Sequence, residues 1–82
     1  MLQFTELAAL CDAWDGSPEA FARLVGAYIF EVDADTHVQK CKLAEVFEAL
    51  PGTPLRWANG MVIPRSAMQK LIVNFIKENS KL

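Results

Sequence analysis

The sequence predicts an all-α fold, and three observations carry that prediction. Apolar residues recur at three- and four-residue spacing through separate stretches of the chain, the period of an amphipathic helix. The stretches are bounded by residues that stop or start helices, namely Gly16, Ser17-Pro18, Asp35-Thr36, Pro51-Gly52, Gly60 and Pro64. Strand signals are weak, with only Met61-Val62-Ile63 reading as a short extended segment. The 82 residues contain no repeat, low-complexity tract or linker, so residues 1–82 read as one domain of four long helices plus one short one. A chain this short buries about 60–65% of its unfolded surface, which makes the core thin.

Each element follows from its residues. Phe4, Leu7, Ala8, Cys11 and Trp14 share one face of a first helix, which Asp15-Gly16 stops because glycine takes the left-handed conformation that follows helix ends. Ser17 can cap a second helix with Pro18 at its first position and Glu19 near the positive end of the dipole. Phe21, Leu24, Val25, Tyr28, Ile29 and Val32 form its apolar stripe. Residues 33–36 turn and cap a third helix over about 36–49, with Val38, Cys41, Ala44 and Phe47 toward the core, joined by Leu43, Val46 and Leu50. The Pro51-Gly52-Thr53-Pro54 segment breaks it. Thr53 is placed to cap a short helix running to about 59, with Pro54 at its first position and Gly60 at its end. Pro64 biases Ile63 toward an extended conformation. A last helix, from 64 or 65 to 79, presents Met68, Leu71, Ile72, Phe75 and Ile76.

Composition narrows the function classes. The apolar fraction, 52%, is high for a domain that must also cover itself with polar groups. The surplus predicts an exposed patch for a partner or a homodimer seam, in the last helix (Phe75, Ile76, Leu82) or the second; a tightly packed monomer is the plainer alternative. No basic leader with a cleavage site is visible, and no apolar run approaches the roughly 20 residues of a membrane span, so a cytoplasmic protein without membrane association is expected. Cys11 and Cys41 fall on apolar helix faces and read as buried small hydrophobes rather than a disulfide. Net charge is −2, unevenly spread. Residues 1–36 hold seven acids against Arg23 alone; residues 37–82 hold seven bases against Glu45, Glu48 and Glu78. A basic C-terminal half suits phosphate attraction, and a charge-paired bundle whose halves attract each other explains the same asymmetry.

One spaced pattern is more specific. Leu43-Ala44 is followed by Trp57, Gly60 and Pro64, in KLAEVFEALPGTPLRWANGMVIP. Over residues 40–66 this spacing resembles the helix-turn-helix unit of the Cro/C1-type (lambda-repressor-like) DNA-binding family, which places the unit at residues 36–60 here. The resemblance implies that Leu43-Ala44 packs the first helix of the unit on the second, that Trp57 seals the back of the recognition helix, and that Gly60 ends it. It implies a DNA-facing surface of Lys40, Thr53, Arg56, Asn59 and Arg65. Arg56 falls at a base-reading position, where a guanidinium fork matches guanine O6 and N7. Lys40, Asn59 and Arg65 fall where phosphates are held, and Thr53 is the nearest polar group to the early base-reading positions. Three residues depart from the family pattern: Glu48 stands at its turn glycine, and Pro51 and Gly52 at those early positions. Without the resemblance, Trp57 and Pro64 read as ordinary core and turn residues of an unrelated bundle.

Other chemistry is thin. His37 and Cys41, one helical turn apart, have metal-ligand spacing, but one histidine and two cysteines make a poor ligand set, and no metal is expected. No phosphate loop, dinucleotide fingerprint or nucleophile elbow is present, so neither an enzyme, a cofactor nor a small-molecule substrate is expected. The leading expectation is a small DNA-binding transcriptional regulator of phage or plasmid type, acting on double-stranded DNA as a homodimer. The alternative is a protein-binding adaptor or inhibitor, for example phage-encoded and aimed at a host protein through an apolar or acidic helical face.

Overall fold

The computed structural model describes residues 2–81, and its first three α-helices begin where a side chain accepts a backbone N–H. Helix α1 (Phe4–Asp12) opens with the Gln3 N–H donating to the Glu6 carboxylate. After it, the Trp14 indole N–H donates to the Ser17 carbonyl at 3.0 Å, the Asp15 carboxylate accepts the Ser17 N–H at 2.9 Å, and Gly16 sits at φ +87°. Helix α2 (Pro18–Gly26) is capped by the Ser17 hydroxyl, which accepts the Ala20 N–H. Helix α3 (Thr36–Val46) is capped in the same way by Asp35 on the Val38 N–H. Helix α4 (Thr53–Ala58) has six residues, and helix α5 (Ser66–Asn79) has fourteen. The fold is therefore all-α with four long helices and one short one. Among the described residues no strand forms; one isolated bridge pairs Leu2 with Val32 in parallel.

The second stripe does not continue as a regular helix. Ala27–Glu31 winds as a π-helical segment, closed by the Val32 N–H on the Ala27 carbonyl. The wider turn still buries Ala27, Tyr28 and Ile29 but leaves Phe30 56% exposed. The core gathers Leu7 and Cys11 of α1, Phe21, Leu24 and Val25 of α2, Leu43 of α3, Trp57 of α4, and Ile72, Val73 and Ile76 of α5. Phe75 links three elements, meeting Tyr28 and Phe47 edge-on at ring-centroid distances of 6.3 and 5.7 Å. Helices α1 and α5 are also joined by an ion pair between Asp12 and Lys77, which raises the Lys77 pKa.

Several expectations are corrected. Helix α3 stops at Val46 rather than near 49 because the chain reverses at Glu48. Its inward face is Gln39, Leu43 and Ala44; Val38, Val46 and Leu50 are exposed, and Cys41 is only half-buried. On α5 the buried face is Gln69, Ile72, Val73 and Ile76, with Met68 and Leu71 exposed. Gln69 is drawn inward because its amide donates to the Pro64 carbonyl at 2.8 Å, anchoring the loop before α5. Ile76 is fully buried, so it offers nothing to a dimer seam; Phe75 is partly buried, and Leu82 lies outside the described residues. Gly52, not Thr53, occupies the cap of α4; Thr53 is its first residue and Pro54 its second.

Candidate nucleic-acid interface

The two helices of the expected unit are present, and a defined reversal joins them. Glu48 adopts φ +52°, the left-handed region that L side chains rarely occupy. Its N–H donates to the Glu45 carbonyl at 3.3 Å, and the Ala49 N–H reaches back to the Ala44 carbonyl at 2.8 Å. This is the double closure of a Schellman motif, with Glu48 at the position glycine normally takes. Glycine at 48 is one of three features of the family pattern that the sequence lacks, and the backbone adopts the glycine conformation there without it. Gly60, at φ +76°, ends α4 the same way: its N–H donates to the Trp57 carbonyl and the Met61 N–H to the Arg56 carbonyl.

Helix α4 is oriented by what it buries. Pro54 and Trp57 face inward, and Trp57, 5% exposed, tilts against Phe21 of α2 with ring centroids 6.4 Å apart. Gly26 of α2 lies beneath Ala58, close enough that a Cβ on Gly26 would meet the Ala58 Cβ at 3.8 Å. The main support of α4 is thus α2, with α3 alongside. With positions 54 and 57 turned inward, helical spacing turns Arg56 and Asn59 to one outward face, and both are exposed.

The remaining predicted residues are distributed less tightly. Lys40 is half-buried on α3, on the side of the helix that also carries Leu43 and Ala44. Thr53 is half-buried in the first turn of α4. The Asn59 side-chain oxygen accepts the Met61 N–H at 3.1 Å, so it braces the turn while its amide N–H groups point to no partner among the described residues. Arg65 is exposed at the N-cap of α5, beyond the two-helix unit. Pro51 and Gly52 are exposed ahead of α4 and bring no side-chain hydrogen-bonding group. Among the described residues, ion pairs form at Asp12–Lys77 and Glu78–Lys81, and none engages Lys40, Arg56 or Arg65.

A concave feature escaped sequence reasoning. A cavity of about 490 Å³ opens between Leu2, Glu6, Phe30, Glu31 and Val32. Two of its lining residues, far apart in the chain, are joined there by the Leu2 N–H donating to the Glu31 carbonyl at 2.9 Å. The one sequence signal was Phe30, a large aromatic falling off the apolar stripe of its helix.

The cysteines differ in kind. Burial, with the Asp12 carboxylate adding and Lys77 opposing, pushes the Cys11 thiol up from 9.0 to about 11, so it stays protonated. Cys41 is the accessible thiol, 3.6 Å from His37 Nε2. Comparison of the chain with known protein families, curated proteins and solved structures finds no match.

Proposed function

We propose that this chain is a small DNA-binding regulator of the kind phages and plasmids carry, working as a homodimer that presents α4 to the major groove. The observation that supports the reading is the reversal at Glu48, a left-handed turn made without glycine at the position where the family pattern has its turn glycine. The outward Arg56, with no carboxylate partner among the described residues, is the base-reading group; Lys40 and Arg65 hold phosphates. Six helical residues limit the contact to the first turns of α4, which are the turns that docked recognition helices use.

The test is binding to DNA fragments selected from a random pool, measured as a function of salt. Arg56→Ala is expected to weaken specific binding by about 1–3 kcal/mol, and Lys40→Ala to lower the salt slope by about one. Binding that ignores salt, or no binding to any duplex, would falsify the reading.

The cavity beside Phe30 favours a second reading, a protein-binding adaptor. Two carboxylates, Glu6 and Glu31, flank an exposed aromatic there, a surface suited to a basic partner segment. Retention on heparin at low salt separates the two: the regulator stays on the column and the adaptor flows through.

A further inference from the structure

His37 and Cys41 lie one turn apart on the same flank of α3, the imidazole exposed and the thiol half-exposed. Nε2 and Sγ stand 3.6 Å apart, and neither has another hydrogen-bond partner among the described residues. A zinc-class ion bonded to a thiolate at about 2.3 Å and to an imidazole nitrogen at about 2.0–2.1 Å, at the tetrahedral angle, holds those two atoms about 3.6 Å apart. The pair is therefore already set at the bite of a four-coordinate soft cation. The other cysteine does not compete, because Cys11 is buried in the core. Among the described residues no group of three or more histidine, cysteine or acidic side chains comes together, so one chain supplies two ligands and no more.

We propose that His37 and Cys41 form half of a Cys₂His₂ site for a soft divalent cation of the zinc class, completed by the same two residues of a second copy of the chain. Closed sites for this cation take four ligands, and a two-fold axis through the metal supplies the missing pair with no new residue. Val38, next in sequence to His37 and 50% exposed, is covered by the same contact. Binding converts each Cys41 thiol to a thiolate, whose proton passes to solvent, and uses the Nε2 lone pair of a neutral imidazole that keeps its proton on Nδ1. No electron is transferred. The proposal rests on the surface of α3 and is independent of whether the chain binds DNA.

Titration of the whole reduced chain with cobalt(II) alone tests it. The expected result is a thiolate-to-cobalt charge-transfer band with tetrahedral d–d bands, saturating at about half a cobalt per chain. The sedimentation mass doubles over the same titration, and zinc displaces the cobalt. Cys41→Ser abolishes the charge-transfer band, and His37→Ala weakens binding by at least about tenfold. Both positions are on the surface, and unchanged circular dichroism verifies the fold of each variant. A band that persists in Cys41→Ser, or none at about millimolar cobalt, overturns the site. Saturation at one cobalt per chain with the mass of a monomer overturns the role of the second copy.

Discussion

Replacing Glu48 with glycine should make this protein more stable, which inverts the usual consequence of inserting glycine next to a helix. Glu48 is exposed, makes no side-chain hydrogen bond or ion pair among the described residues, and sits at φ +52°. An L residue held in the left-handed region costs about 1–2 kcal/mol, and glycine escapes that cost. Glycine also loses more chain entropy on folding, which returns about 0.5–1 kcal/mol of the gain. The expected net effect is about 0.5–1 kcal/mol of added stability, or about 2–8 °C in Tm for a domain of this size. The carboxylate also lies at the negative end of the α3 dipole, so part of the gain could come from lost charge. Glu48→Gln removes the charge and keeps the backbone cost, so it separates the two causes. Thermal and urea unfolding of wild type, Glu48→Gly and Glu48→Gln provide the measurement. If the glycine variant proves no more stable than the glutamine variant, the left-handed turn is not a feature of the folded protein. The helix-turn-helix reading then loses the observation that supports it.

Three further outcomes follow from the packing. Gly26 has ordinary helical angles, and a Cβ there would meet Ala58 at van der Waals distance, so Gly26→Ala should stabilise by about 0.5–1 kcal/mol in urea unfolding. Burial raises the Tyr28 pKa against a smaller opposing influence from the Gln39 amide, yet among the described residues no hydrogen bond of ordinary geometry reaches the buried hydroxyl. Tyr28→Phe should therefore leave stability unchanged or raise it by about 1 kcal/mol, and a loss above that would reveal a partner for the hydroxyl. The folded Cys11 thiol holds its proton to about pH 11, against 9.0 when unfolded, so its contribution is complete below pH 9 and disappears as pH rises through 11. Stability should fall by about 2–3 kcal/mol across that interval, and Cys11→Ala should flatten the decline in denaturant midpoints measured from pH 8 to 11.

Helix boundaries were legible where a side chain or a glycine makes them. Ser17, Asp35, Gly16 and Gly60 each perform the backbone task that their chemistry suggests. The face of α3 was not legible, because apolar residues surround it: Val38, Cys41, Leu43, Ala44, Val46 and Phe47 leave no polar side to mark the exterior. Packing against α4 and the π-helical segment selects Leu43 and Ala44, and that choice carries Gln39 inward and leaves Val38 and Val46 in water. The reversal at Glu48 had no local signal either. Glutamate has no preference for left-handed backbone, and tertiary packing of α3 and α4 overrides its propensity. Within the candidate site, Arg56 was legible because Trp57 beside it must turn inward. The cavity beside Phe30 was not, since its lining brings together Leu2 and the end of the π-helical segment, far apart in the chain.

The location of α4 determines which substitutions can inform on function. Six residues are too few for a helix to persist in water, so the order of α4 derives from docking. That docking uses the burial of Pro54, Trp57 against Phe21 of α2, the close approach of Ala58 to Gly26, and the hydrogen-bonded closures at Glu48 and Gly60. Truncating Trp57 removes the support and the presented surface together, and a loss of binding there would say nothing about DNA. Among the described residues the Arg56 side chain makes no hydrogen bond or ion pair; its backbone is used, the N–H donating to the Gly52 carbonyl and the carbonyl accepting the Met61 and Val62 N–H groups, and alanine keeps both. Arg56→Ala therefore alters the outward face while preserving the platform beneath it, and a change in DNA affinity at unchanged Tm can be assigned to the guanidinium itself.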